Sequence, residues 1–293
     1  MKMTVSVPSS APRMSRSLGG ILIDSGLLKP EDAERVLLVQ KEQNLRFGDA
    51  AVRLGLLTEE DIQYALSRQF AYAYLRRTPG DKKPVSDELV AAYQPFSQRV
   101  EQLRSIRSQL MLRWFDRADQ RQLLTIVGSD RGEGRSHLAA NLAVVFSQLG
   151  ERTLLVDADM RNPRQHEVFK IDGNHGLSAL LSGRDAGQVI HNVPDLPSLF
   201  VLPVGTTPPN PLELVERPAF GLLMSEMLAK FDHVVVDTSA AMLGADASVV
   251  AARCGAAIVV VRKDEARAAM LQDFVGLLGA GTVKIGGVVM NVY

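Results

Sequence analysis

The residues best suited to chemistry lie between an apolar run, Leu123–Val127, and a helix-like segment that begins near Leu138. The stretch between them is rich in glycine and includes Gly132, Gly134 and Ser136. Glycines let successive backbone N–H groups point into one anion-sized nest, and the start of the following helix favours negative charge. The pattern predicts a buried strand, a phosphate-binding loop and a helix start.

The loop departs at two positions from the common phosphate-loop pattern G-x-x-x-x-G-K-[ST]. Ser129 stands at the first glycine, and Arg135 stands at the lysine that normally reaches the terminal phosphates. Arginine is always charged and grips phosphate oxygens as a rigid fork, whereas lysine is a compact point charge on a flexible stem. We therefore expect nucleotide binding to survive the change and the chemistry to be slower.

Two more apolar runs follow the loop, and each ends in acidic residues: the first at Asp157 and Asp159, the second at Asp237. Near-continuous apolar strands indicate a parallel sheet covered on both faces, and ligands bind such sheets at the carboxyl ends of the strands. Asp237 and Ser136 suit Mg²⁺, and Asp157 and Asp159 suit the activation of a nucleophile. One such acid alone is more often a helix cap. Three acids together with a phosphate loop favour the nucleotide site.

Four segments, 132–136, 156–163, 201–211 and 231–238, together resemble the bacterial protein-tyrosine kinases that accompany chain-length determinants in exopolysaccharide synthesis. The resemblance covers about Pro95 to Tyr293. It implies an α/β P-loop domain with a doubly wound, mostly parallel sheet that binds ATP and Mg²⁺. The residues that it implies are Gly132, Glu133, Gly134, Arg135, Ser136, His137 and Asn291 for ATP, Ser136 and Asp237 for Mg²⁺, and Asp157, Asp159 and Arg135 for catalysis.

The loop sequence Gly-Glu-Gly-Arg-Ser is similar to that of a subgroup linked to exosortase gene clusters, the EpsG type, in which Arg135 would be the normal residue. These kinases usually end in a tyrosine cluster that accepts phosphate, whereas beyond residue 93 this chain has only Tyr293. The resemblance implies a cytoplasmic tyrosine (auto)kinase held at the inner membrane by a membrane chain-length determinant, and a role in exopolysaccharide chain length and export. The alternative is a nucleotide-binding scaffold whose chemistry has lapsed.

A predicted helix ahead of the sheet carries Glu101, Arg104 and Arg107 at successive three-residue steps. Such spacing keeps the three side chains on one side of the helix. In the kinases that the chain resembles, an E-x-x-R-x-x-R helix packs against the next subunit of a ring, so the resemblance implies a homo-oligomer. The alternative is a solvated face whose ion pairs contribute about 0.3 kcal/mol each.

The N-terminal quarter contains a tandem repeat, in which Gly19 and Arg46-Phe47-Gly48 take part. Each copy predicts two short helices around a glycine stop, so two copies can cover each other's apolar faces. The repeat resembles the N-terminal domain of secretion and pilus-assembly ATPases, some of which bind cyclic di-GMP. That resemblance implies a dinucleotide site at Arg16, Gly19, Arg46 and Gly48, with a protein-docking module as the alternative.

The composition fits one small and one larger domain, with 293 residues, 46% of them hydrophobic, and a formal net charge of zero. Zero net charge gives no electrostatic case for nucleic-acid binding. The single cysteine, Cys254, fits a reducing cytoplasm. No apolar run approaches the roughly 20 residues of a membrane span. We expect a disordered tail at 1–15, the helical repeat module at 16–75, a linker at 76–95 and the P-loop domain at 96–293.

Overall fold

The computed structural model describes residues 17–70, 72–75, 83–112, 123–184, 187–265 and 268–292. The chain divides into two compact units, Met1–Tyr72 and Ala73–Tyr293. The tail predicted at 1–15, Arg16 and Tyr293 lie outside the described residues. No helix among the described residues is long and apolar enough to cross a membrane.

The first unit is built from helices that form two similar hairpins. They are α1 (Leu18–Asp24), α2 (Pro30–Gln43), α3 (Phe47–Arg53) and α4 (Glu59–Gln69). The backbone follows the sequence repeat, because the N–H of Leu27 donates to the Leu22 carbonyl at 2.9 Å and the N–H of Leu56 donates to the Ala51 carbonyl at 3.1 Å. Leu22 and Ala51 lie in one shared apolar core. The two hairpins therefore cover each other's apolar faces.

The second unit contains a seven-stranded sheet in the order β3-β4-β2-β5-β1-β6-β7. Neighbouring strands are parallel except for the antiparallel pair β3 and β4. This arrangement confirms the predicted α/β, mostly parallel fold. The strands are β1 (Leu123–Val127), β2 (Thr153–Asp157), β3 (His191–Val193), β4 (Leu196–Leu202), β5 (His233–Asp237), β6 (Gly255–Arg262) and β7 (Lys284–Asn291).

Helices cover both faces of this sheet. They are α5 (Val90–Tyr93), α6 (Gln98–Leu110), α7 (Arg135–Ser147), α8 (Gln165–Phe169), α9 (Leu177–Leu181), α10 (Pro211–Glu216), α11 (Pro218–Lys230), α12 (Asp246–Cys254) and α13 (Ala268–Gly279). Ile126 of β1 packs in one apolar cluster with α5, α6 and α7, and the next residue, Val127, packs in another with α12 and α13. Because successive strand residues point to opposite faces, the two clusters lie on opposite sides of the sheet.

The linker predicted at 76–95 is wrong for its described part, residues 83–95. Val85 and Leu89 are fully buried in the core of the second unit, and the Tyr93 hydroxyl donates to the Val85 carbonyl at 3.1 Å. The charged and proline-bearing composition suggested a solvated segment. The apolar residues spaced through it were the signal that it packs against the P-loop domain.

Candidate nucleotide site

The sheet brings the predicted site residues to one edge. Strands β2, β5 and β1 are adjacent and parallel, so their carboxyl ends lie together. Asp157 at the end of β2 is paired in register with Asp237 at the end of β5. The phosphate loop leaves β1 at the same edge, where Ile126 is paired with Asp237.

The loop itself has the backbone that the glycines predict. Gly132 and Gly134 have φ angles of 75° and 92°, in the left-handed region that favours glycine. Helix α7 begins immediately afterwards and directs its N-terminal N–H groups to the edge of the sheet. Beside the loop lies a cavity of about 480 Å³, whose lining includes Gly132, Gly134, Ser136, His137, Asp159, Arg99, Arg131, Arg135 and Arg164. The glycines, the helix start and the arginines make this cavity suitable for phosphate groups, although Glu88 also lines it and pairs with Arg164 at 2.7 Å.

Arg135 is turned into the loop, although it was expected to reach the phosphates. Its Nε donates to the Thr238 carbonyl at 3.2 Å, and its Nη1 donates to the Asp130 carbonyl. The same Nη1 lies 3.3 Å from Oε2 of Glu133, and both side chains are buried. A lysine has one nitrogen and could not make this set of contacts. The structure therefore supplies a local reason for arginine at this position.

Glu133 was expected to bind ATP, but its carboxylate lies inside the loop. It accepts hydrogen bonds from the Ser129 hydroxyl at 3.0 Å and from the Asp130 N–H at 2.9 Å. A Cβ atom on Gly128 would lie 2.3 Å from Oε2 of Glu133, so only glycine leaves room for the carboxylate. Burial raises the pKa of Glu133, and its hydrogen bonds and Arg135 oppose that shift. The Glu133 side chain holds the loop together from inside, and the backbone N–H groups of the loop remain for the ligand.

Asp237 and Ser136 form the candidate Mg²⁺ position. Asp237 is fully buried, and its Oδ2 accepts a hydrogen bond from Nε2 of Gln165 at 2.8 Å, while its Oδ1 has no hydrogen-bond partner. Burial raises the pKa of Asp237 to about 6, and the nearby Gln165 amide and Ser136 hydroxyl oppose that shift. A carboxylate oxygen with no partner beside a hydroxyl group fits Mg²⁺.

The described residues contain no group of three or more His, Cys, Asp or Glu side chains placed to hold a metal ion. Mg²⁺ that is bound to phosphates needs only one or two protein ligands, because phosphate and water oxygens complete its shell. Ser136 and Asp237 are the candidates for those ligands.

Asp157 was expected to act in catalysis, but its contacts are those of a cap. Its Oδ1 accepts the N–H of Asp159 at 3.1 Å, and its Oδ2 accepts the N–H groups of Arg164 at 3.2 Å and Gln165 at 3.0 Å. Asp157 is fully buried, and burial, followed by the charge of Asp237, raises its pKa well above the usual range. These contacts fix the chain between β2 and α8. Asp159 lines the cavity, and its Oδ1 accepts the N–H groups of Arg161 at 3.1 Å and Asn162 at 2.9 Å.

Two further predicted residues lie on the rim of the loop. His137 lines the cavity, and burial lowers its pKa, so the neutral imidazole is favoured there. Nδ2 of Asn291, expected to contact adenine, donates to the Glu133 carbonyl at 3.1 Å and so ties the end of β7 to the loop.

Gln165 is the site residue that sequence reasoning missed. It is fully buried, and its amide donates to Oδ2 of Asp237 and, at 3.1 Å, to the carbonyl of Ser136. Gln165 thus joins the two candidate Mg²⁺ ligands. No spacing in the sequence indicates this contact, because Gln165 and Asp237 are 72 positions apart.

The charged face of α6 is partly used within the unit itself. Arg107 Nη1 donates to the Val145 carbonyl near the C-terminal end of α7 at 2.6 Å, and Arg104 pairs with Glu101 and with the hydroxyl of Tyr74. The C-terminal carbonyl groups of a helix lack partners within the helix, so Arg107 stabilises the end of α7. Glu101 is exposed and Arg104 partly so, which leaves these two for contact with another molecule.

Gly19 and Gly48, which were expected to contact a cyclic dinucleotide, lie against side chains of the first unit itself. A Cβ on Gly19 would lie 3.3 Å from Cζ of Phe47, and a Cβ on Gly48 would lie 2.9 Å from Cγ2 of Ile62. Close approach of side chains, rather than of a ligand, accounts for both glycines. Arg46 precedes α3 and is exposed.

The comparisons with known proteins agree with this geometry. A putative tyrosine-protein kinase, CapB of Staphylococcus aureus, is 33% identical over 211 residues, which are 72% of this chain and 91% of CapB. The chain belongs to the bacterial tyrosine-protein kinases. The structure is similar to the kinase domain of Escherichia coli tyrosine kinase ETK, with a TM-score of 0.68 and 28% sequence identity. The match covers 74% of this chain and 84% of the ETK domain. The predicted family resemblance is confirmed.

The same kinase family includes a longer relative. A putative tyrosine-protein kinase, EpsB of Ralstonia nicotianae, is 35% identical over 269 residues, which are 91% of this chain and 32% of EpsB. The chain therefore spans about a third of that relative, and the match extends upstream of Pro95, where the predicted resemblance began. A family model described as cellulose biosynthesis protein BcsQ also matches residues 121–276, slightly more than half of the chain.

Proposed function

We propose that this member of the bacterial tyrosine-kinase family transfers the γ-phosphoryl group of Mg·ATP to tyrosine hydroxyl groups. The observation that carries the proposal is the contact network of Ser136, Asp237 and Gln165 at the start of α7, beside a cavity lined by arginines. The family membership gives the acceptor class, since the relatives are named as tyrosine-protein kinases.

The chain's own residues would act as follows. N–H groups of the 132–136 loop and α7 hold the β- and γ-phosphates, and Arg131, Arg164 and Arg99 add positive charge around the cavity. Ser136 and Asp237 would hold Mg²⁺, which neutralises charge on the phosphates when it is bound. Asp159, which lines the cavity, would orient the tyrosine hydroxyl and take its proton.

A nucleotide-binding scaffold remains the second candidate, because one observation favours it. Arg135 is tied to the carbonyls of Asp130 and Thr238 and to Glu133, so it contacts the phosphates only if it leaves these partners. Incubation with γ-labelled Mg·ATP decides between the two. Labelled phosphotyrosine on the chain supports the kinase, and saturable ATP binding without phosphotyrosine or released phosphate supports the scaffold.

We further propose that the kinase works in the cytoplasm at the inner membrane, as a ring bound to a membrane chain-length determinant, and so affects exopolysaccharide chain length and export. The relation to the named kinases supports the partner, and the exposed Glu101 on α6 supports a contact between copies. Co-purification of the chain with the cytoplasmic segment of that partner, followed by mass measurement, tests both points.

For the first unit we propose a protein-docking role. The side chains of Phe47 and Ile62 fill the space beside its repeat glycines. Leu37 and Leu38 of α2 are exposed apolar side chains that a partner could cover. Cyclic di-GMP binding through Arg16 and Arg46 is the alternative, and titration of the full chain with this dinucleotide distinguishes the two.

A further inference from the structure

Tyr74 stands at the start of the second unit with its phenol against α6. Nη2 of Arg104 donates to the Tyr74 hydroxyl at 2.9 Å, and the guanidinium carbon lies 5.9 Å from the centre of the ring. Arg107 follows Arg104 by three positions on the same helix, so it lies on the same side. The half-buried tyrosine therefore has its hydroxyl beside a pair of cations outside the nucleotide site.

Three of the four other tyrosines lie among the described residues, and Tyr293 lies outside them. Tyr64 is half-buried within α4. Tyr93 is buried with its hydroxyl on the Val85 carbonyl, so a kinase cannot reach it. Tyr72 is exposed and stacks on Phe70 with ring centres 5.9 Å apart. Residues 72–75 form neither helix nor strand, and the N–H of the buried Leu75 donates to the Ala92 carbonyl at 2.9 Å. Tyr74 therefore reaches another molecule's cleft only when this short segment is released.

We propose that Tyr74 is a phosphate acceptor of this kinase and that Arg104 binds the phosphate once it is attached; the proposal rests on the proposed tyrosine-kinase function. In the reaction the Tyr74 oxygen forms a bond to the γ-phosphorus of ATP, and the bond from that phosphorus to the bridging oxygen of ADP breaks. The phenolic proton passes to Asp159 of the acting copy and then to water.

Tyr74 is out of reach of the nucleotide site of its own copy. The carbonyl of the preceding residue, Ala73, accepts a hydrogen bond at 3.4 Å from Nε2 of Gln148, just beyond the last residue of α7. The phosphate loop adjoins Arg135, the first residue of α7. A helix rises 1.5 Å per residue, so about 20 Å separates the two ends. The acceptor must therefore be presented to a second copy of the chain.

The phosphate would change the charged face of α6. It carries a charge of about −1.5 to −2 near neutral pH and three strong acceptor oxygens. Arg104 now divides its guanidinium between Glu101 and the Tyr74 hydroxyl. A phosphate in place of that hydroxyl hydrogen attracts the Arg104 guanidinium away from Glu101. The negative charge of the phosphate also attracts Arg107. Phosphorylation of Tyr74 thus acts on the two residues of α6 that are left for contact between copies.

The test mixes two variants of the full chain with Mg·ATP. One is Tyr74→Phe with an intact site, and the other is ¹⁵N-labelled Asp237→Asn with an intact Tyr74. Mass spectrometry of tryptic peptides then locates the phosphate, with fragmentation to separate Tyr74 from Tyr72. Phosphate on Tyr74 of the labelled copy is the expected result. Phosphate on other tyrosines alone would overturn the Tyr74 proposal and leave the kinase function standing, and no phosphotyrosine in either copy would overturn both.

The role of Arg104 is tested on the phosphorylated chain. A generic tyrosine phosphatase should remove phosphate from Tyr74 about tenfold faster in Arg104→Gln than in wild type, because a charge-assisted contact no longer protects it. Arg152→Gln is the matched control, since Arg152 is a partly exposed arginine of the same unit that pairs with Asp232. Equal removal rates in all three proteins would show that Arg104 does not bind the phosphate.

Discussion

The amide of Gln165 donates a 2.8 Å hydrogen bond to the buried carboxylate of Asp237. Gln165→Leu removes that donor and leaves the Asp237 oxygen buried without it, which costs about 1–3 kcal/mol in the free energy of unfolding. We expect weaker Mg²⁺-dependent nucleotide binding as well. Urea denaturation at pH 7.5 measures the first effect and calorimetry the second. Gln109→Leu, on the exposed side of α6, is the control, and an equal loss in both variants would contradict the prediction.

The raised pKa of Asp237 predicts a pH dependence of stability. The folded protein keeps this proton up to about pH 6, whereas the unfolded chain releases it near pH 4. The contribution of Asp237 to the unfolding free energy is therefore most favourable below pH 4 and falls by about 3 kcal/mol as the pH rises through 6.

Asp237→Asn should remove this penalty. We expect the variant to unfold at higher urea than wild type at pH 7.5, to lose that advantage at pH 4, and to lose Mg²⁺-dependent ATP binding. Asp273→Asn, on the exposed side of α13, should show neither change. Parallel stability profiles for wild type and Asp237→Asn between pH 4 and 7 would mean that the carboxyl group does not titrate as described.

Substitutions of Arg135 test whether its inward-turned guanidinium contributes to ATP binding. Arg135→Ala should weaken ATP binding by about 1.5–3 kcal/mol, the value of a lost charge-assisted hydrogen bond, and Arg135→Lys should keep most of the affinity and raise turnover. Calorimetric titration with Mg·ATP gives the affinities. Arg131→Ala, an exposed arginine of the same loop, should have a smaller effect. Unchanged affinity in Arg135→Ala would remove this residue from the site.

The charged helix α6 gives separate predictions for its two arginines. Arg107→Ala should lower the free energy of unfolding by about 1 kcal/mol, because the Val145 carbonyl loses its donor. Arg104→Glu should stay folded and fail to assemble, because like charges then face Glu101 of the neighbouring copy. Light scattering with the partner's cytoplasmic segment present measures assembly. The same mass for wild type and Arg104→Glu would favour the solvated-face interpretation.

For the first unit, the packing predicts different effects on stability for substitutions at Gly48 and Arg46. Gly48→Ala should destabilise the unit, because the new Cβ meets Ile62 at 2.9 Å. Arg46→Ala should leave stability unchanged, since Arg46 is exposed. Titration of the full chain with cyclic di-GMP, with GTP as control, should show no binding if the unit docks a protein. Binding that Arg46→Ala abolishes would establish the dinucleotide site instead.

The sequence predicted what depends on local pattern. The glycine loop, the apolar strands and the acids at their ends gave the fold and the edge at which Asp159 and Asp237 lie. It did not predict side-chain contacts between distant segments, such as Gln165 with Asp237 or Arg107 with Val145, because nothing in spacing or composition encodes them. The same limit explains Asp157, whose carboxylate is taken by backbone N–H groups that only the fold brings near.

Strand β1 carries the phosphate loop, and both of its neighbours, β5 and β6, come from much later in the chain. During synthesis β1 has no partner strand until residue 233 has been made, and it becomes a central strand only when Gly255–Arg262 has left the ribosome. Pairing between such distant segments is slow, because long loops must close first. The short-range hairpins of the first unit have no such requirement. A nascent chain would therefore carry a folded N-terminal unit well before it could bind a nucleotide, and any partner of that unit could engage the chain while translation continues.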